Sequence, residues 1–227
     1  MSTSRKGSAL AGGGVIAFVT LTVVAFAVGS PAGGNYSETD VANYVSIGHL
    51  PMVIVSGYLA LLGVFGLICF LAFLRGAISA QPGRELAGTI FWGAGLAAAS
   101  SLAVGWGLVT GIAVAAAEGG SANSGNGGTV ATITHAETYV LSDTTMNVLY
   151  GSGGILLGFA LIALAKASAG VLPGWLRWLT LIVGILALAS PAFLPAFAIP
   201  VWGIVIGVRL IAAGRFSLPA AAPQPAA

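Results

Sequence analysis

The sequence has little charge and only one cysteine, and each shortage excludes a class of protein. Only 6% of its 227 residues are Asp, Glu, Lys or Arg, against roughly 25% in soluble domains. This composition excludes a soluble globular domain. Eight basic and six acidic residues do not provide the concentrated basic surface that nucleic-acid binding requires. The lone Cys69 cannot form an intrachain disulfide and argues against a thiolate metal cluster.

Metal-binding and catalytic patterns are also missing. The two histidines form no H-x-x-x-H or H-E-x-x-H spacing, which argues against a bound metal. No Asp, Glu, Lys or His lies near the centre of an apolar run, although proton-coupled pumps and ion-driven transporters usually depend on such residues. No acid, base and nucleophile occur together in a recognisable pattern. We therefore expect a non-enzymatic protein without a cofactor.

Long apolar runs dominate what is present, since 57% of the residues are hydrophobic. A membrane-spanning helix needs about 20 apolar residues, and six runs approach or exceed this length. They predict an all-α, polytopic transmembrane bundle with spans at about 9–28, 51–74, 86–117, 143–166, 175–192 and 196–211. The first run could instead be a signal peptide cut after Ala27, but its length favours a retained helix.

The distribution of charge predicts the orientation of these spans. With a cytoplasmic N-terminus, all eight Lys and Arg residues fall on the inner side, as the positive-inside rule requires. This topology gives a cytoplasmic N-terminus (1–8), a membrane domain (9–213) in the bacterial plasma membrane and a disordered cytoplasmic tail (214–227). The predicted extracellular loops cover about 29–48 and 118–142.

Two details of these outer loops can be predicted. Ser37 followed by Asp40 resembles a capping pair and predicts a short surface helix from Glu38 to Tyr44. His135 and Glu137 are predicted to lie solvated in the second loop.

Two similar spacings are consistent with an internal repeat. Tyr44-Val45 precedes Leu61-Leu62-Gly63 at the same distance at which Tyr139-Val140 precedes Leu156-Leu157-Gly158. The second and third spans would then correspond to the fourth and fifth, in parallel orientation.

The candidate site is a polar stripe on the fourth run. Asp143, Asn147, Gly151, Gly154 and Gly158 recur every three or four residues and so share one helical face. Together with polar residues of the second span they would line an outward-facing vestibule that binds or passes a small uncharged or lipophilic solute. The predicted ligand-binding residues are His49, Ser56, Asp143, Asn147 and Tyr150.

A simpler interpretation stays open, because polar residues at wet helix ends need no ligand. Asn147 and Tyr150 would then bond to a neighbouring helix.

Pairs of small residues suggest close helix packing. Gly107 and Gly111, Gly154 and Gly158, and Gly203 and Gly207 are each spaced four apart, which allows helix backbones to approach. We expect them to pack within one bundle. The alternative is a structural or regulatory subunit, in which small residues face another membrane protein or a second copy of the chain.

The C-terminal third carries a resemblance. The segment from Leu172 to Trp178, with the sequence LPGWLRW, leads into the apolar run LTLIVGILALAS. In this segment and in its topology the chain resembles bacterial six-span integral membrane proteins of unknown function. The resemblance implies a helical membrane fold and identifies no functional residues.

Overall fold

The chain is helical in almost all of the part that the computed structural model describes, which is residues 5–29, 37–79, 81–118, 133–192 and 197–213. The α-helices are α1 (Arg5–Gly29), α2 (Glu38–Tyr44), α3 (Leu50–Ser79), α4 (Glu85–Glu118), α5 (His135–Asn147), α6 (Gly154–Ala167), α7 (Gly174–Leu188) and α8 (Ala198–Ala213). A π-helical turn, Val148–Gly153, joins α5 to α6, and a 3₁₀ turn, Ser190–Ala192, follows α7. The predicted all-α bundle is confirmed.

Among the described residues, four helices are long and apolar enough to cross a membrane: Lys6–Gly29, Leu50–Ser79, Glu85–Ala117 and His135–Ala167. The last of these includes α5, the π-helical turn and α6. In contrast, α7 and α8 contain 15 and 16 residues, fewer than the about 20 that a span needs. The predicted N-terminal residues 1–4 and tail 214–227, and residues 30–36 and 119–132 of the predicted outer loops, lie outside the described part.

The fourth long helix begins earlier than the sequence suggested. Residues 135–142 were predicted to be loop, but helix α5 starts at His135. The cause is a capping box: Thr134 Oγ1 accepts a hydrogen bond from Glu137 N at 3.2 Å, and the Glu137 carboxylate accepts one from Thr134 N at 2.8 Å. Glu137 therefore has a structural role rather than being merely solvated. The predicted short helix from Glu38 to Tyr44 is confirmed.

The short helices α7 and α8 form a hairpin that ends beside the middle of the fourth long helix. Arg177 at the start of α7 contacts Ala165, and Ser190 beyond its end contacts Tyr150. Tyr150 and Ala165 are 15 residues apart in the sequence, or roughly 22 Å at about 1.5 Å per residue. The hairpin is thus shorter than the 33-residue helix it packs against.

Three reciprocal glycine pairs among the described residues bring the helices together. A Cβ added to Gly14 of α1 would lie 2.6 Å from the carbonyl oxygen of Gly66 on α3, and one added to Gly12 would lie 2.6 Å from that of Gly207 on α8. Helix α1 is therefore held between α3 and α8 by backbone contact on two of its faces. The third pair joins α6 to α7: a Cβ on Gly158 would lie 2.8 Å from Gly184 O.

Only some of the predicted small-residue pairs pack within the bundle. Gly154, Gly158, Gly203 and Gly207 all pack against neighbouring helices, as expected for contacts within one bundle. Gly107 and Gly111 on α4 have open space where a side chain would be.

The centre of the bundle contains large buried side chains from several helices. Trp202 of α8 is 2% exposed, and its Nε1 donates to Thr180 Oγ1 of α7 at 2.9 Å. Phe70 of α3 meets the Trp202 ring edge to face at 5.8 Å. The hydrogen bond joins the two helices of the hairpin, and the aromatic contact holds α8 against α3.

Candidate functional site

A cavity of about 140 Å³ lies at the end of the α7–α8 hairpin. Because α7 ends beside the middle of the fourth long helix, it leaves a gap that neighbouring helices partly enclose. Helices α1, α4 and α6, the π-helical turn, Ser190 beyond the end of α7 and the residues at the start of α8 supply the walls. The lining includes Phe18, Phe26, Leu102, Trp106, Leu149 and Tyr150.

Aromatic rings form one wall of this cavity. Phe26 of α1 contacts the ring of Trp106 with centroids 4.6 Å apart, and it stacks on the ring of Tyr150 at 5.8 Å and 17°. Trp106 is 2% exposed. Three side chains from three different elements thus support one another and give the cavity a defined shape.

The cavity is mainly apolar. Among the described residues that line it, the polar side-chain groups are the hydroxyls of Thr22, Tyr150 and Ser190 and the indole N–H of Trp106. The Ser190 hydroxyl donates to the backbone carbonyl of Tyr150, so it is already engaged. Such a lining favours an apolar occupant, because a charged or strongly polar one would lose hydration without compensation.

The π-helical turn directs Tyr150 into the wall of the cavity. The wider turn contains the small residues Gly151, Ser152 and Gly153 and is followed by Gly154. Gly154 has no room for a side chain, because an added Cβ would lie 2.6 Å from Ser190 Cβ. The backbone carbonyl of Tyr150 accepts a hydrogen bond from the Ser190 hydroxyl. Turns of this kind occur often at functional sites.

Of the five predicted ligand-binding residues, Tyr150 lines the cavity. Ser56 does not reach a vestibule: it is 1% exposed, and its hydroxyl donates to Ala25 O at 2.8 Å. That bond joins α3 to α1, so Ser56 has a packing role.

The other three lie elsewhere. His49 lies in the turn between α2 and α3, with its ring 6.2 Å from that of Tyr44. The side chain of Asn147 donates to Asp143 O at 2.9 Å, one turn back on its own helix. The predicted bond from Asn147 to a neighbouring helix is therefore wrong.

The predicted polar stripe is interrupted by the π-helical turn. Asn147, before the turn, is exposed, whereas Gly154 and Gly158, after it, are buried against the hairpin. An α-helical period of 3.6 places all these residues on one face, but the wider turn rotates the first part relative to the second. The stripe consequently does not form a continuous polar wall.

Helix α2 packs on the bundle next to this region. Tyr44 is 4% exposed, and its hydroxyl donates to Val109 O of α4 at 3.4 Å. Burial raises the pKa of the Tyr44 phenol above its ordinary value. The phenol therefore stays protonated and keeps its donor role.

Within the described residues, no group of three or more His, Cys, Asp or Glu side chains is placed to hold a metal ion. The fold is thus an all-α bundle with four helices suited to a membrane and an apolar cavity at the tip of a short hairpin. Comparison of the chain with protein-family models, with curated proteins and with solved structures found no significant match. The function is therefore inferred from this geometry.

Proposed function

We propose that this chain is a non-enzymatic protein of the bacterial plasma membrane that binds a small lipophilic solute in the apolar cavity. The cavity itself carries the proposal. Its volume of about 140 Å³ is close to that of an engineered apolar cavity of about 150 Å³ that stays dry and binds benzene or xenon. A benzene-sized ring or a short alkyl segment would fit.

Access from the lipid side supports the same ligand class. Val23 and Phe197 line the cavity and are themselves 53% and 59% exposed. An apolar solute dissolved in the membrane can therefore reach the cavity along an apolar surface. A polar solute arriving from water would gain little from these walls.

The proposal includes a six-span topology with both termini in the cytoplasm. Helices α7 and α8 then form the fifth and sixth crossings, and local thinning of the bilayer accommodates their short length. The side of the cavity nearer to Asp143 faces outward, which follows from the positive-inside distribution of Lys and Arg.

Thermal unfolding in the presence of toluene tests the binding site. A ligand that binds only the folded state at ten times its Kd stabilises that state by about 1.4 kcal/mol. We expect a saturable rise of the unfolding midpoint for the unmodified chain. Leu102→Phe places a larger side chain into the cavity, and this variant is expected to lose the rise.

Leu108→Phe is the matched control for this experiment. Leu108 lies on the same helix and is 48% exposed, so the same substitution leaves the cavity unchanged and the toluene response should persist. An equal response in both variants, or no response in the unmodified chain, would refute the proposed site.

The second candidate is a structural or regulatory subunit that packs against another membrane protein. The outward-facing Gly107 and Gly111 on α4 favour it, because open space beside two glycines allows a foreign helix to approach closely. Two results together would favour this candidate. The Gly107→Cys variant would crosslink to one fixed partner in native membranes, and toluene would not raise the unfolding midpoint.

A further inference from the structure

Two arginines meet at the C-terminal end of α6. Arg84, from the loop between α3 and α4, donates from Nη1 to Lys166 O at 2.6 Å. Arg177, from the first turn of α7, donates from Nε to Ala165 O at 3.1 Å. Because these two carbonyls belong to consecutive residues, they hold the guanidinium groups near each other. Each guanidinium has five N–H donors, and these bonds use only one of them on each arginine.

A third positive charge is nearby, and carboxylates are scarce. Lys166 is exposed on the same helix end. Within the described residues, Arg84, Lys166 and Arg177 form no ion pair with a carboxylate, and the adjacent Glu85 accepts from Gly83 N at 3.2 Å. These three residues, which we call the basic corner, thus carry three positive charges with no carboxylate partner among the described residues.

Two tryptophans indicate where the basic corner lies relative to a bilayer. Trp175 and Trp178 are 56% and 67% exposed and flank Arg177 in the sequence. Exposed indole rings prefer the level of the lipid headgroups. Arg177 then lies at the depth of the lipid phosphates rather than in the hydrocarbon or in free solution.

The loops behind the basic corner hold two polar atoms that lack a hydrogen-bond partner. Within the described residues, Gln81 Nε2 and Ser168 Oγ are buried and unpaired. Gln81 packs beside Gly170, since a Cβ on that glycine would lie 3.6 Å from Nε2. Buried polar groups nearly always form hydrogen bonds. The residues around Gln81 and Ser168 therefore provide too few hydrogen-bond acceptors for these two side chains.

We infer that the basic corner binds the phosphate group of an anionic membrane lipid. Arg84 and Arg177 offer planar N–H pairs that match phosphate oxygens, and Lys166 adds charge. The lipid would tie the α3–α4 loop to the start of α7. This site is separate from the apolar cavity and does not depend on the solute proposed for it.

The test measures lipid-dependent stability of the full chain in a neutral detergent. Short-chain phosphatidylglycerol and phosphatidylcholine are titrated separately while the unfolding midpoint is recorded. We expect phosphatidylglycerol to raise the midpoint at lower concentration than phosphatidylcholine. The double variant Arg84→Lys, Arg177→Lys keeps the net charge but loses the planar donors, and its apparent affinity for phosphatidylglycerol should fall about fivefold or more.

Arg209→Lys is the matched control, because Arg209 is an exposed arginine on α8. It should change the affinity less than about twofold. If the double variant does not fold, Lys166→Gln replaces it, with an expected loss of about twofold to threefold. Equal losses at Arg209 and in the corner, or equal responses to both lipids, would overturn the inference. A shift produced equally by inorganic phosphate at the same ionic strength would assign the site to a free anion and also overturn it.

Discussion

Replacing Gly14 with leucine is expected to prevent the bundle from assembling, whereas the same change at Gly13 should leave it folded. A side chain on Gly14 would meet the backbone of Gly66, while no atom outside the adjoining turns of its own helix lies within 4 Å of the Cβ position of Gly13. Backbone cannot move aside as a flexible side chain can. Overpacking commonly costs 1–3 kcal/mol, and a leucine pressed against backbone is expected to cost more than about 3 kcal/mol.

The measurement is the yield of monodisperse protein after detergent extraction, followed by thermal unfolding of whatever is recovered. Gly13→Leu controls for the change in hydrophobicity and helix propensity, since it adds the same side chain one residue away. A folded Gly14→Leu protein with an unchanged midpoint would show that α1 does not contact α3 through this glycine.

The second large effect is expected at the π-helical turn. Gly154→Ala would place a methyl group on the Ser190 side chain, whose Cβ would be 2.6 Å away. We expect this variant to lose about 2–3 kcal/mol of stability. Adding Ser190→Gly removes the atoms that the new methyl group would meet. The loss of stability in the double variant should therefore be smaller than the sum of the losses in the two single variants. The coupling is expected to be about 1–2 kcal/mol.

Gly151→Ala is the control for this cycle. Gly151 lies in the π-helical turn, three residues before Gly154, but no atom outside its own stretch of helix lies within 4 Å of its Cβ position, so its substitution should be nearly neutral. Chemical or thermal unfolding of the four proteins gives the coupling energy. Strictly additive effects would indicate that Gly154 and Ser190 do not pack together.

Hydropathy alone predicted the helical architecture well, because a membrane helix must contain an uninterrupted apolar run. It predicted the ends of helices less well. The start of α5 depends on Thr134 and Glu137, whose capping box is visible in the sequence, but the polar residues that follow concealed it. Similarly, α7 ends at Leu188, although the apolar composition continues to Ala192.

The candidate site was mostly hidden from sequence analysis. The search followed polar residues, whereas the cavity is lined by Phe26, Leu102 and Trp106, which in sequence resemble ordinary core residues. A 3.6-residue period also cannot reveal a π-helical turn, so Asn147 and Gly154 were assigned to one face. Of the five predicted residues, only Tyr150 lines the apolar cavity, and this cavity is not the polar vestibule for which Tyr150 was predicted.

The glycines illustrate a similar limit. Their four-residue spacing identified Gly158 and Gly207 as packing residues, but no spacing indicated that Gly184 and Gly12 would be their partners. Pairing between distant segments is a property of the assembled bundle.

The most direct test of the central claim, that the apolar cavity holds a lipophilic solute, is fluorescence quenching of Trp106 by a brominated medium-chain alcohol. Of the chain's five tryptophans, Trp106 lines the cavity, whereas Trp92, Trp175, Trp178 and Trp202 are not among its lining residues. We predict a saturable component of quenching that disappears in Trp106→Phe and in Leu102→Phe but persists in Leu108→Phe. Quenching that rises in proportion to concentration and is the same in all four proteins would contradict the claim, because it would show that the solute reaches the tryptophans only from the surrounding lipid or detergent.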